Sequence, residues 1–121
     1  MRLRPLFFSV LLLLLAATGP ASADPRFVEG LPDVPLMAGV ASLPEGGLIF
    51  DKPDGRIVEA YATGAVSSDS VLAFYRDTLP ALGWRQQAPQ VWVREGERLE
   101  LELLGPAQGV LTLRFVLSPA R

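Results

Sequence analysis

The chain of 121 residues contains no cysteine and no histidine, and Lys52 is its one lysine. Each absence excludes chemistry. Without cysteine no disulfide can staple the fold and no lipid can be attached to a cleavage-site thiol. Without histidine or cysteine the commonest general base, the thiolate nucleophile and the usual transition-metal ligands are missing. Basic charge is also short, with 11 Lys and Arg against 13 Asp and Glu. That balance opposes nucleic acid and anionic lipid, both of which ask for a basic face. Beyond the first twenty residues no apolar run approaches the roughly 20 residues needed to span a membrane.

What is present begins with Arg2 and Arg4, then a nearly unbroken apolar run from Leu6 to Ala17, then Thr18-Gly19-Pro20 and Ala21-Ser22-Ala23. A charged start, an apolar middle and an A-x-A end form the pattern of a cleavable secretory signal peptide. The run would extend only about 18 Å as a helix, short of the hydrocarbon core. The reading is a signal peptide over 1–23, cleaved after Ala23, that delivers the protein to the periplasm without a stable membrane anchor. The remainder, from Asp24, is 98 residues long with nine basic and 13 acidic residues, a net charge of −4. That length suits one domain with a modest core.

Residues 24–45 show no periodicity and carry Pro25, Pro32, Pro35 and Pro44. Proline donates nothing to a ladder and biases its neighbour towards extended backbone. The stretch is therefore expected to be an extended strap lying over an α+β domain at 46–121. Its apolar residues are too many for a free tail. Leu48-Ile49-Phe50 and the segment from Arg56 to Thr63 flank Lys52-Pro53-Asp54-Gly55, a turn signal that predicts a hairpin.

Val71, Phe74, Tyr75, Thr78, Leu79 and Leu82 recur at helical spacing. Ser67 or Ser68 suits the N-cap, Pro80 predicts a kink or a new short turn, and Gly83 a stop. Three strand runs follow: Trp84 to Val93, split by Pro89, then Arg98 to Leu104 and Val110 to Leu117. In the last two, leucine and phenylalanine alternate with polar residues, as in a half-solvated antiparallel sheet. The expected fold is α+β, with one amphipathic helix on one face of a twisted, mainly antiparallel sheet in the order β-β-α-β-β-β.

Val71, Phe74, Tyr75, Leu79, Gly83 and Trp84 also spell V-x-x-F-Y-x-x-x-L-x-x-x-G-W. In this the chain resembles a group of exported proteins and lipoproteins of Gram-negative bacteria that carry a domain of unknown function. Asp33-Val34-Pro35-Leu36 and the stretch from Phe50 to Glu59 look like marks of one proteobacterial branch of it. The resemblance implies a helix-on-sheet domain in the cell envelope and no catalytic residue. Unlike the lipoproteins, this chain has no cysteine to acylate.

The turn after Arg94 can be drawn two ways. A two-residue loop, Glu95-Gly96, pairs Trp92 with Leu99 and turns Trp92 into the core. A three-residue loop, Arg94-Glu95-Gly96, pairs Val91 with Leu99 and turns Trp92 out beside Arg98; a one-residue slip exchanges the faces of a strand. The second puts Val91 and Val93 inside and is the expected register. Trp92, Arg98 and Arg114 then form a candidate interaction face for an envelope protein or polymer, unless the strap covers Trp92; the exposed edge strand of the sheet is the other surface open to such a partner.

Little else suggests chemistry. Ser67, Ser68 and Ser70 lack a base and read as helix capping. Asp51, Asp54 and Glu59 lack calcium-loop spacing. Glu100 and Glu102 share a strand face with Arg98 and Arg114 as expected neighbours, which reads as a salt-bridge ladder rather than a glycosidase pair. No catalytic, cofactor-binding or metal-binding residue is assigned. Phe74, Tyr75 and Trp84, with Tyr61 from the neighbouring strand, either pack in the core or line a small-ligand pocket between helix and sheet. The expected function is a non-enzymatic interaction module of the cell envelope; the alternative is a small-ligand carrier or sensor using that pocket.

Overall fold

The computed structural model describes residues 26–120, so the expected signal peptide lies outside the described residues. The elements run β1 (Phe27–Val28), β2 (Leu31–Pro35), β3 (Val40–Lys52), β4 (Gly55–Gly64), α1 (Ser68–Thr78), a 3-10 turn (Leu79–Leu82), β5 (Arg85–Ala88), β6 (Val91–Arg94), β7 (Glu97–Ala107) and β8 (Val110–Pro119). Strands β3 to β8 make one antiparallel sheet in the order β3-β4-β8-β7-β6-β5, and β1 and β2 make a separate hairpin. The fold is α+β, with the one α-helix of the described residues packed against the larger sheet.

One core holds it together. From the sheet it takes alternate residues: Val58, Ala60 and Ala62 on β4, Leu99 and Leu101 on β7, and Leu111, Leu113, Phe115 and Leu117 on β8. The helix adds Val71 and Tyr75, and the 3-10 turn adds Leu79. Period two on the strands meets period 3.6 on the helix, which is why both apolar faces close on each other.

Local signals act as read. Ser67 is the N-cap, its Oγ accepting from the Ser70 N–H at 3.1 Å. The helix tightens into a 3-10 turn at Leu79-Pro80, because proline cannot supply the next N–H, and Gly83 ends it in the left-handed conformation.

Three expectations need correction. The strap is extended and docks on the domain as expected, but it also pairs with itself: Leu31–Pro35 folds back on Phe27–Val28, and Val28, Leu31 and Val34 enter the same core as the helix. It therefore lies on the helix side of the sheet and does not shield the other face. Its C-terminal end is already β3, so the expected boundary at 45/46 falls inside a strand. The Trp84–Val93 run is two strands paired with each other, with Pro89 and Gln90 in the turn between them.

The third correction is the register. Trp92 pairs with Leu99 and Arg94 with Glu97, the two-residue loop, and Trp92 is 0% exposed. Glu95 and Gly96 both adopt positive φ, 48° and 78°, the turn whose twist matches that of the flanking strands. The reason it wins is on both faces. Inside, an indole hides far more apolar surface than a valine, and Val91 and Val93 stay half-covered on the outside. Arg94 also arrives on the core side, where three contacts receive it. Its guanidinium lies over the Trp84 ring, Nη1 donates to the Leu82 carbonyl at 3.0 Å, and Nη2 meets Asp33 at 2.9 Å.

Candidate functional site

No described element covers the face of the sheet opposite the helix, and the ladder registers set its composition. One row runs Leu43, Tyr61, Arg114, Glu102 from β3 to β7. The next runs Leu48, Glu59, Val116, Glu100, Val91. Beyond it Phe50 faces Ile57, and Ser118 faces Arg98. The face grades from an apolar margin on β3 and β4 to a charged centre on β8 and β7. Leu43, Leu48 and Phe50 on that margin are all exposed.

Arg114 is the hub of the charged part. Its Nε–H is shared between Glu59 Oε1 at 3.1 Å and the Tyr61 hydroxyl at 3.2 Å, and Nη1 donates to Glu102 Oε2 at 2.9 Å. The Tyr61 hydroxyl in turn donates to Glu59 Oε1. Hydrogen bonds from Tyr61 and then Arg114 hold the Glu59 carboxyl below its ordinary range. The same network, Glu59 foremost, pulls the Arg114 guanidinium up. Arg98 pairs separately with Glu100 at 2.8 Å. Each carboxylate of Glu100 and Glu102 is thus tied to its own arginine. The arrangement holds these charged side chains in fixed pairs across β4, β8 and β7.

Of the expected interaction face, Arg98 and Arg114 do share this surface, whereas Trp92 lies beneath it in the core. The four candidate pocket residues do not come together. Tyr61 is on the outer face. Tyr75 and Trp84 are buried and Phe74 half-buried in or against the core. Tyr75 stacks edge-on with Phe74 at 4.8 Å and with Phe115 at 5.6 Å, which fills the space between helix and sheet. Burial pushes the Tyr75 phenol up, and its hydroxyl donates to the Pro35 carbonyl at 2.8 Å.

Two hollows exist elsewhere. An open groove of about 490 Å³ lies between α1 and β5, lined by Leu72, Arg76, Gln86, Gln87, Ala88 and Pro89. A cleft of about 150 Å³ opens where β3 breaks register, between Gly30, Leu43, Gly47, Ile49 and Val58. Among the described residues no group of three or more His, Cys, Asp or Glu side chains is placed to hold a metal ion, and no helix is long and apolar enough to cross a membrane.

Sequence reasoning placed Leu48-Ile49-Phe50 in a hairpin strand but did not assign these residues to this face. The signal for it was three consecutive apolar residues in a strand where alternation can hide only every second one. No family model matches the chain, and no curated protein or solved structure matches it either.

Proposed function

We propose that the chain is an exported, periplasmic, non-enzymatic interaction module of the cell envelope, and that it binds a protein partner through the outer face of its sheet. One observation carries this reading: a six-stranded sheet buries one side under a helix and a hairpin, and no described element covers the other. That bare side pairs an exposed apolar margin with the ordered Glu59–Tyr61–Arg114–Glu102 network. Apolar contact supplies association energy, and fixed charges supply orientation and selectivity. A partner suited to it carries apolar residues beside a patch of both signs.

A photo-crosslinking residue at Arg98 in the exported chain, in its own host, tests this. The expected result is one discrete adduct that disappears on Arg114→Glu or Ile57→Asp substitution. Folded protein in the periplasm that gives no adduct, or one indifferent to both changes, would sink the reading.

A further inference from the structure

The two edges of the sheet differ. At one edge β5 is four residues long, Arg85-Gln86-Gln87-Ala88, and ends at Pro89. Short length, arginine and proline are what blunt an edge against pairing. At the other edge β3 offers Leu48, Ile49 and Phe50 at 46%, 61% and 53% exposure.

The direction of the free backbone groups on β3 follows from the ladder. The Leu101 N–H donates to the Gln90 carbonyl, so Leu101 faces β6 and Glu100 faces β8. Alternation carried through the registers turns Val116 to β7, Leu117 and Val58 to each other, and Glu59 and Leu48 to each other. Gly47, Ile49 and Asp51 therefore present their N–H and C=O groups to the open edge.

We propose that this edge pairs with the same edge of a second copy, antiparallel about a two-fold axis through Ile49, to give a continuous twelve-stranded sheet. Self-pairing requires opposed residues to lie on the same face, so the axis must pass through a residue and not between two. Three centres are then available. An axis at Leu48 sets Ile49 against Gly47 and Phe50 against Gly46, leaving two apolar side chains without a partner. An axis at Phe50 sets Leu48 against Lys52 and Ile49 against Asp51, apolar against charged. An axis at Ile49 sets Ile49 on itself, Leu48 on Phe50 and Asp51 on Gly47. Only this register sets all three apolar side chains against apolar partners. It also places the three outward-facing residues opposite one another, each pair able to exchange both backbone bonds. Pro53 at one end and the Pro44–Gly47 break at the other limit the ladder to this length.

This inference does not rest on the outer-face reading. Arg98 lies on β7, three strands from β3, so self-pairing puts no second copy at the crosslinker used there.

Because the chain has no cysteine, a single introduced one reports without ambiguity. In the chain from Asp24 onward, Ile49→Cys is expected to convert to a disulfide dimer on mild oxidation. Opposed Cα atoms in such a pair stand about 5.5 Å apart, inside the range a disulfide bridges. Arg85→Cys, on the other edge, is expected to form no disulfide, although it still pairs non-covalently through β3. Sedimentation should give a dimer mass for the unaltered chain and a monomer mass for Leu48→Glu and for Phe50→Lys. Mixing those two variants should restore a heterodimer, since the carboxylate introduced in one copy would then face the ammonium introduced in the other. A monomeric unaltered chain overturns the proposal. So do a mass beyond dimer, equal crosslinking at both edges, or variants that stay folded by circular dichroism yet fail to rescue each other. Should both charged variants unfold, the two cysteine variants still decide it.

Discussion

The Arg94 guanidinium carbon lies 4.5 Å from the centre of the Trp84 ring, and the same side chain reaches the Leu82 carbonyl and Asp33. One arginine thereby ties β6, the end of the helix and the N-terminal hairpin together. Its side chain is only 17% exposed, so the stacking is largely desolvated. Arg94→Ala is expected to lower unfolding free energy by about 2–3 kcal/mol in urea titration, combining a partly buried cation–π contact with a charged hydrogen bond. Asp33 is half-exposed, so Asp33→Asn should cost under about 1 kcal/mol. Equal losses from the two would show that the ion pair, and not the stacking, carries the effect.

Tyr75 supplies a second test, by pH. Burial raises its phenol above the ordinary value of 10, while the unfolded chain ionises there. Above pH 10 the unfolded state therefore holds fewer protons than the native one, and stability falls as pH rises. Below pH 10 the contribution is fully present. Tyr75→Phe removes this alkaline slope and leaves the Pro35 carbonyl without its donor, at a cost of about 1–2 kcal/mol near neutral pH. Thermal unfolding of both proteins from pH 8 to 11 should show their stabilities converging. Parallel curves would mean that Tyr75 ionises as it does when unfolded.

Trp92 shows where reading from sequence stops. The helix, its cap, its break at Pro80 and the alternation on β7 and β8 are local patterns, each settled by a few neighbouring residues. The face of Trp92 is not local. It turns on whether the loop after Arg94 has two residues or three, and both suit the apolar pattern of β7. The decision is made by what lies across the sheet: Trp84, the 3-10 turn and Asp33, far apart in sequence, receive Arg94 in one register only. The hairpin within residues 27–35 was hidden for a similar reason, since Pro32 and Pro35 mask a strand that pairs only with its immediate neighbour. On the outer face Arg98 and Arg114 were legible from alternation, whereas the Tyr61 and Glu59 partners depended on β4 lying next to β8.

The Trp92 indole N–H is buried with no hydrogen-bond partner among the described residues, so its replacement strands no described acceptor. Trp92→Phe should cost only the lost volume, well below the roughly 3–5 kcal/mol of Trp92→Ala. Trp84 and Trp92 are both buried, so native fluorescence should be blue-shifted and insensitive to iodide. Emission that iodide quenches strongly would contradict the observed register.

Glu59 governs the acid side. Its carboxyl is held below the ordinary value of 4.5 by the Tyr61 hydroxyl and Arg114. A depressed folded-state pKa stabilises above the unfolded value, and that share is lost as pH falls below about 4.5 through the folded one. Glu59→Gln should therefore be less stable than the unaltered chain at pH 6, with the gap closing towards pH 3. The size is modest because the group is partly solvated. Melting curves across that range decide it, and a gap that stays constant would mean that packing, not charge, is what Glu59 contributes.

Two glycines separate crowding from backbone strain. A Cβ on Gly64 would stand 2.3 Å from the Gly39 carbonyl oxygen and 3.0 Å from the Val40 Cα. Both are backbone atoms, which no rotamer change can move aside. A Cβ on Gly96 meets no described atom within 4 Å, but the residue sits at φ +78°. Gly96→Ala should cost about 1–2 kcal/mol, the left-handed penalty alone. Gly64→Ala has to push β3 away from β4 at the start of their ladder, where Val40 pairs with Gly64. It is expected to cost more than Gly96→Ala, with amide exchange speeding up over residues 40–43 before the rest of the sheet. If Gly64→Ala proved the milder of the two, the close approach of the Gly39 carbonyl could not be a constraint on the fold, and the start of β3 would have to be free to shift along the edge.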